Sequence, residues 1–171
     1  MANTFTKIAT VTVGSGGASS MEFTSIPATY VSLIIKLSAR TDRSGFTYDN
    51  IVINPNSSTS NLSGIYILSY GSGVLSATDT GGIGAAGANG ASATSSTFSN
   101  VEIYIPNYTS SSYKSFSVDA VMENNATDGR QGFTSQLWSS TTAISSLKIA
   151  PSSGPNFVQY SSATLYGISN S

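Results

Sequence analysis

The chain has 171 residues, a length that suits one domain, at a mass of 17.6 kDa. Charged residues are only 9% of it, against about 25% in an average soluble domain, and there is no His and no Cys. Those counts exclude disulfides, His or Cys metal sites, thiol nucleophiles and imidazole chemistry, and a net charge of −1 gives no field for drawing in nucleic acid.

Hydrophobic residues are 39%, and Ser with Thr make up roughly a third of the chain, well above ordinary usage. Hydroxyls and amides must therefore do the wetting that charges usually do, which is easier where much of the surface packs against copies or partners. The opening run MANTFTKIATVTVGSGG has one Lys and lacks the apolar core of a signal peptide. The longest apolar stretch, Val31 to Leu37, is broken by Ser32 and Lys36 and is far short of the roughly 18 residues of a transmembrane helix. The chain is expected to be made and folded in a cytosol, with no membrane partner.

Taken in order, the elements read as strands. Met1 to Thr6 suggests an N-terminal arm able to join a neighbour's sheet edge. In Phe5 to Val13 the residues Phe5, Ala9, Val11 and Val13 share one face, which Lys7 interrupts. In Val31 to Ala39, alternation sets Val31, Leu33, Ile35, Leu37 and Ala39 against Ser32, Lys36, Ser38 and Arg40, with Ile34 among the second set. Val101, Ile103 and Ile105 oppose Glu102 and Tyr104. Phe116, Val118, Ala120 and Met122 alternate with Ser117, Asp119 and Val121, and Ala163, Leu165 and Gly167 with Thr164, Tyr166 and Ile168. Weaker candidates are 21–26, 46–53, 62–70, 133–138, 144–149 and 157–160. Turn residues separate them, such as Gly14-Ser15-Gly16-Gly17, Asn54-Pro55-Asn56 and Pro106-Asn107. Helical periodicity is absent. The pattern predicts a single all-β domain over 1–171, an antiparallel, jelly-roll-like β-sandwich of about ten strands with no significant helix.

Asp79 to Ser96 stands apart as a Gly/Ala/Ser-rich segment, expected to be a mobile loop that builds no core; the rival reading is close backbone approach to a neighbouring subunit. Within it Gly82 to Gly87 matches GxGxxG, but no helix opens after it, so it reads as an accident of composition and implies no cofactor. Glu123 to Gly129 has oxygen ligands enough for calcium but not the ligand spacing; it reads as a hairpin loop closed by Asp128-Gly129. Four Asn-x-Ser/Thr triplets, at Asn56, Asn61, Asn107 and Asn125, look like by-products of Ser, Thr and Asn richness.

Eight carboxylates and no His leave little for catalysis. Asp119 and Glu123 share strand parity, yet nothing marks them as the facing pair of a glycosidase, and no motif supports a Ser–Lys pair, so no enzyme, metal or cofactor is expected. Aromatic rings are the better candidates for contact with an interface or a glycan, because they bring large rigid area. Tyr104, Tyr108 and Tyr113 flank one apparent hairpin, and Trp138 is the lone Trp. Tyr104 is expected to point outward; Trp138 also suits a core position.

The run Phe98 to Asn125, FSNVEIYIPNYTSSSYKSFSVDAVMENN, resembles a segment of small virion structural proteins of tailed bacteriophages, many from aquatic hosts. The opening TKIATVTVGSGGASSMEFTSIPATYVSLIIKLSAR, the turn NPNSSTSNLS and the closing PSSGPNFVQYSSATLYGI are similar to the same group, so nearly the whole chain is covered. The resemblance implies a β-sandwich component of a virion, made in a bacterial host, and carries no functional residues with it. The expected role is capsid decoration or cementing as a homo-oligomer, a trimer being favoured, with the major capsid protein or tail proteins as partners. The alternative is a tail-fibre or receptor-binding tip that recognises host glycans.

Overall fold

The computed structural model describes residues 4–81, 87–126 and 128–169. Met1 to Asn3 of the expected arm and most of Gly82 to Gly87 lie outside the described residues. Among the described residues thirteen strands form: β1 (Phe5–Thr12), β2 (Met21–Phe23), β3 (Ser32–Ser38), β4 (Tyr48–Asp49), β5 (Ile51–Pro55), β6 (Leu62–Tyr70), β7 (Gly73–Asp79), β8 (Ala88–Asn89), β9 (Asn100–Pro106), β10 (Lys114–Glu123), β11 (Gly129–Trp138), β12 (Leu147–Pro151) and β13 (Ser162–Ile168). The described residues contain no helix. The count exceeds ten because 46–53 splits at Asn50 and because β7 and β8 carry no alternation of their own. Residues 157–160 do not make a strand; Phe157 only bridges to Ala18 and Thr41.

Eight strands form one antiparallel sheet in the order β1-β13-β3-β9-β10-β11-β6-β7, while β2-β12-β5 form a second sheet and β4-β8 a short third. The fold is an all-β, sandwich-like arrangement with layers of unequal size. Leu33, Ile35, Ile103 and Ile105 from the large sheet share one core with Met21, Ile53, Leu147 and Ile149 from the small one. Each such side chain contributes about 1.5–3 kcal/mol by leaving water. Alternation does the sorting: in β10, Lys114, Phe116, Val118, Ala120 and Met122 are buried and every residue between them is exposed.

β1 departs from the expected single face. Its register to β13 runs Lys7↔Tyr166 and then Ala9↔Leu165, so Ile8 is an extra, bulged residue. The bulge reverses parity. Phe5 points outward, 51% exposed, with its ring 6.1 Å from that of Tyr166, while Ile8, Ala9 and Val11 pack on the core.

The 79–96 segment is also corrected. Its described part beyond residue 86 is folded in: Ala88, Asn89 and Ala93 are buried. A Cβ on Gly87 would stand 2.7 Å from Ile51, so the small residues serve close approach within the chain itself. The four triplet asparagines share a physical reason as well. Asn56, Asn61, Asn107 and Asn125 have φ of 49°, 62°, 48° and 53°, the left-handed turn conformation that Asn tolerates best among non-glycine residues.

Candidate functional site

The four candidate aromatics do not meet on one surface. Tyr108 is fully buried; its hydroxyl donates to the Pro27 carbonyl oxygen and its own carbonyl accepts from Ile144 N–H at 2.9 Å. It is a core staple and is unavailable for contact. Trp138 is 4% exposed and also belongs to the core, because it shares inward parity with Gln136 and Thr134 on β11. Tyr104 lies on the outer face as expected, half-buried, its hydroxyl 3.3 Å from Ser32 Oγ. Tyr113, in the connection between β9 and β10, is exposed. Asp119 and Glu123 point outward, and Asp119 sits opposite Glu102, which is ion-paired with Lys36.

Two other surfaces carry the chemistry. On the outer face of the large sheet Ile67 pairs with Phe133 across β6 and β11, and Ile65 follows two residues on. They are 51%, 52% and 57% exposed, a connected apolar patch on an otherwise hydroxyl-rich face. Their exposure follows from β11, whose inward positions Gly132, Thr134, Gln136 and Trp138 send Phe133 and Leu137 to the other side. The parity of Trp138 was the signal that could have revealed this.

The second surface is a cleft on the inner face. Tyr66 and Leu68 on β6 pack with Met122 and Tyr48 in a small cluster apart from the main core. Tyr48, Tyr66, Tyr70 and Arg130, with Asn50 and Leu75, line a cavity of about 360 Å³. The guanidinium of Arg130 lies 3.6 Å from the centroid of the Tyr48 ring and 5.5 Å from that of Tyr70. Arg43 approaches the same Tyr48 ring at 5.2 Å and caps Phe46 at 3.8 Å. Asp128 anchors the group: it accepts from the Thr47 hydroxyl and stands 3.4 Å from Arg130 Nε.

No family model, curated protein or solved structure matches this chain. The chemistry of the cleft rests on its own side chains. Tyrosine rings and a planar guanidinium offer flat faces for stacking and N–H and O–H groups at the rim, a combination suited to a sugar ring. Among the described residues no group of three or more acidic side chains gathers to hold a metal ion. A wider hollow of about 550 Å³ lies at the far end of β6 and β11, but among the described residues that line it there is no aromatic ring and Asp79 is the only ionisable group. Gln136 is among its lining residues, and among the described residues neither N nor O of its buried amide has a partner.

Proposed function

We propose that this chain is a non-enzymatic structural protein of a bacteriophage virion, a decoration or cement module that binds the capsid shell as an oligomer. The observation that carries the reading is the exposed Ile65–Ile67–Phe133 patch on a surface that is poor in charge. Such a patch gains free energy by being covered, and a cement protein works by covering area on several shell subunits at once. The resemblance of Phe98 to Asn125 to phage structural proteins supports the virion as its location. Mass-spectrometric copy number with cryo-EM of intact particles tests it. Hundreds of copies with density on the shell are expected; density on the tail alone, or no protein in the particle, overturns it.

A second reading, a tail-tip module that binds host glycans, is favoured by the tyrosine cleft alone. A glycan array with the full chain tests it. Binding that disappears in Tyr48→Ala and Arg130→Ala is expected; a blank array removes this reading.

A further inference from the structure

The two edges of the large sheet are built differently. The β1 edge carries two devices that discourage strand addition, the bulge at Ile8 and the exposed Lys7. The β7 edge carries neither. From Gly73 to Thr78 it has no charge, no Pro and no bulge in its register with β6. Val74 is 73% exposed and Leu75 41%. Long apolar edges of this kind pair with another strand when one is available.

The register fixes which backbone groups of this edge are open. β6 and β7 are joined by the two-residue turn Gly71-Ser72, with Gly71 at φ 54°, so Tyr70 and Gly73 close the hairpin as a hydrogen-bonded pair. Pairs then alternate along the strand. The backbone groups of Gly73, Leu75 and Ala77 point to β6, and those of Val74, Ser76 and Thr78 point to the open side. Among the described residues nothing bonds to them. We propose that a second copy of this chain pairs here, β7 against β7, about a two-fold axis through Ser76.

Antiparallel pairing centred on Ser76 sets Ser76 opposite Ser76 and Val74 opposite Thr78 in both directions. All three open positions then become hydrogen-bonded pairs, about six backbone bonds in total. Such self-complementarity is what a two-fold contact requires. A net charge of −1 per chain leaves little repulsion to oppose it. The axis runs perpendicular to the sheet, so the outer apolar patches of both copies join one face and the two tyrosine clefts open on the other. Leu75 at the rim of each cleft meets Ala77 of the second copy. The contact is independent of where the protein works, and it is two-fold where a decoration trimer would be threefold.

Sedimentation of the full chain at about 100 μM is expected to give twice 17.6 kDa. Ser76→Pro removes an outward N–H while leaving the β6 ladder intact, and is expected to raise the dimer dissociation constant about tenfold or more with an unchanged circular dichroism spectrum. Because the chain has no Cys, single thiols report the register. Ser76→Cys is expected to cross-link to itself on mild oxidation, since paired Cα atoms stand about 5.5 Å apart. Val74→Cys is expected to cross-link only when mixed with Thr78→Cys, because two copies of Val74 would lie about 13 Å apart. A monomer, a trimer, or Val74→Cys alone cross-linking as fast as Ser76→Cys overturns the proposal. So does an oligomer that Ser76→Pro leaves intact.

Discussion

Arg130 lies over the Tyr48 ring, its guanidinium carbon 3.6 Å from the ring centroid. Only 17% of the Arg130 side chain is exposed, so the stack is partly dry and its attraction is not fully screened. Arg130→Lys keeps the charge but loses the planar face, and is expected to cost about 1 kcal/mol in urea unfolding. A double-mutant cycle with Tyr48→Leu isolates the contact. A coupling of about 1 kcal/mol is expected, and a coupling near zero would mean that Arg130 acts through Asp128 instead.

Arg40 fixes the small-residue segment. Its Nη1 donates to the Thr94 and Thr97 carbonyls at 2.8 and 3.2 Å, and its Nη2 to the Ala91 and Ala93 carbonyls at 3.1 and 2.8 Å. A planar fork with fixed donors can serve four carbonyls at once; an ammonium cannot. Arg40→Lys is expected to cost about 2 kcal/mol. Hydrogen exchange should localise the loss, with faster exchange at Ala91, Ser92 and Ala93, whose N–H groups donate to Arg43, Phe46 and Gly90 carbonyls. Exchange that rises evenly over the chain would show that the clamp is not local.

These contacts mark the limit of what the sequence conveys. β9 and β10 are legible residue by residue, because burial on one face of a sheet enforces a period of two, whereas in β3 Ser32 and Ile34 on the other face are buried as well. β11 is legible as a strand but not in its orientation, since Thr134 and Gln136 take the inside and Phe133 the outside. The bulge at Ile8 has no signature in side-chain type. Buried Ala88 and Ala93 look like linker, because composition reports side-chain size and not the close approach that small size permits. The tyrosine cleft was hidden for a topological reason. Tyr48, Tyr66, Tyr70 and Arg130 come from three strands, and only the pairing of β11 with β6 brings Arg130 beside Tyr70. The spacing of Tyr66 and Tyr70 on one strand face was the only local hint.

Lys114 gives a pH dependence. It is 1% exposed, and its Nζ donates to the carbonyls of Ser110, Ser112 and Ser140 at 2.6, 2.7 and 3.3 Å. Among the described residues no carboxylate pairs with it. Burial holds its pKa below the ordinary 10.5. Between the folded pKa and that of the unfolded chain, the unfolded chain binds more protons, so stability rises with pH across that window. Below the folded pKa the cost of burying the charge is felt in full. Lys114→Met removes this titration but leaves three carbonyls without their donor, and is expected to cost about 2–4 kcal/mol at neutral pH. The gap between wild type and variant should widen as pH rises towards the ordinary lysine value of 10.5, as only the wild type gains. Urea unfolding of both proteins across that range checks it, and a constant gap contradicts the argument.

Tyr30 lies across Gly167, with its ring occupying the place a Cβ would take on the inward face of β13. The glycine leaves a gap in the strand and the ring fills it, a cover of backbone by an aromatic face. Gly167→Ala drives the new methyl into the ring, and is expected to cost about 1–3 kcal/mol by overpacking. If the ring is the cause, removing it should remove the cost: in a Tyr30→Ala background, Gly167→Ala should be nearly neutral. The double variant is then more stable than the sum of the two single losses predicts, by an interaction energy on the order of 1–2 kcal/mol. Denaturant midpoints of the four proteins decide it. Additive losses would show that Gly167 is required by the backbone of β13 and not by Tyr30.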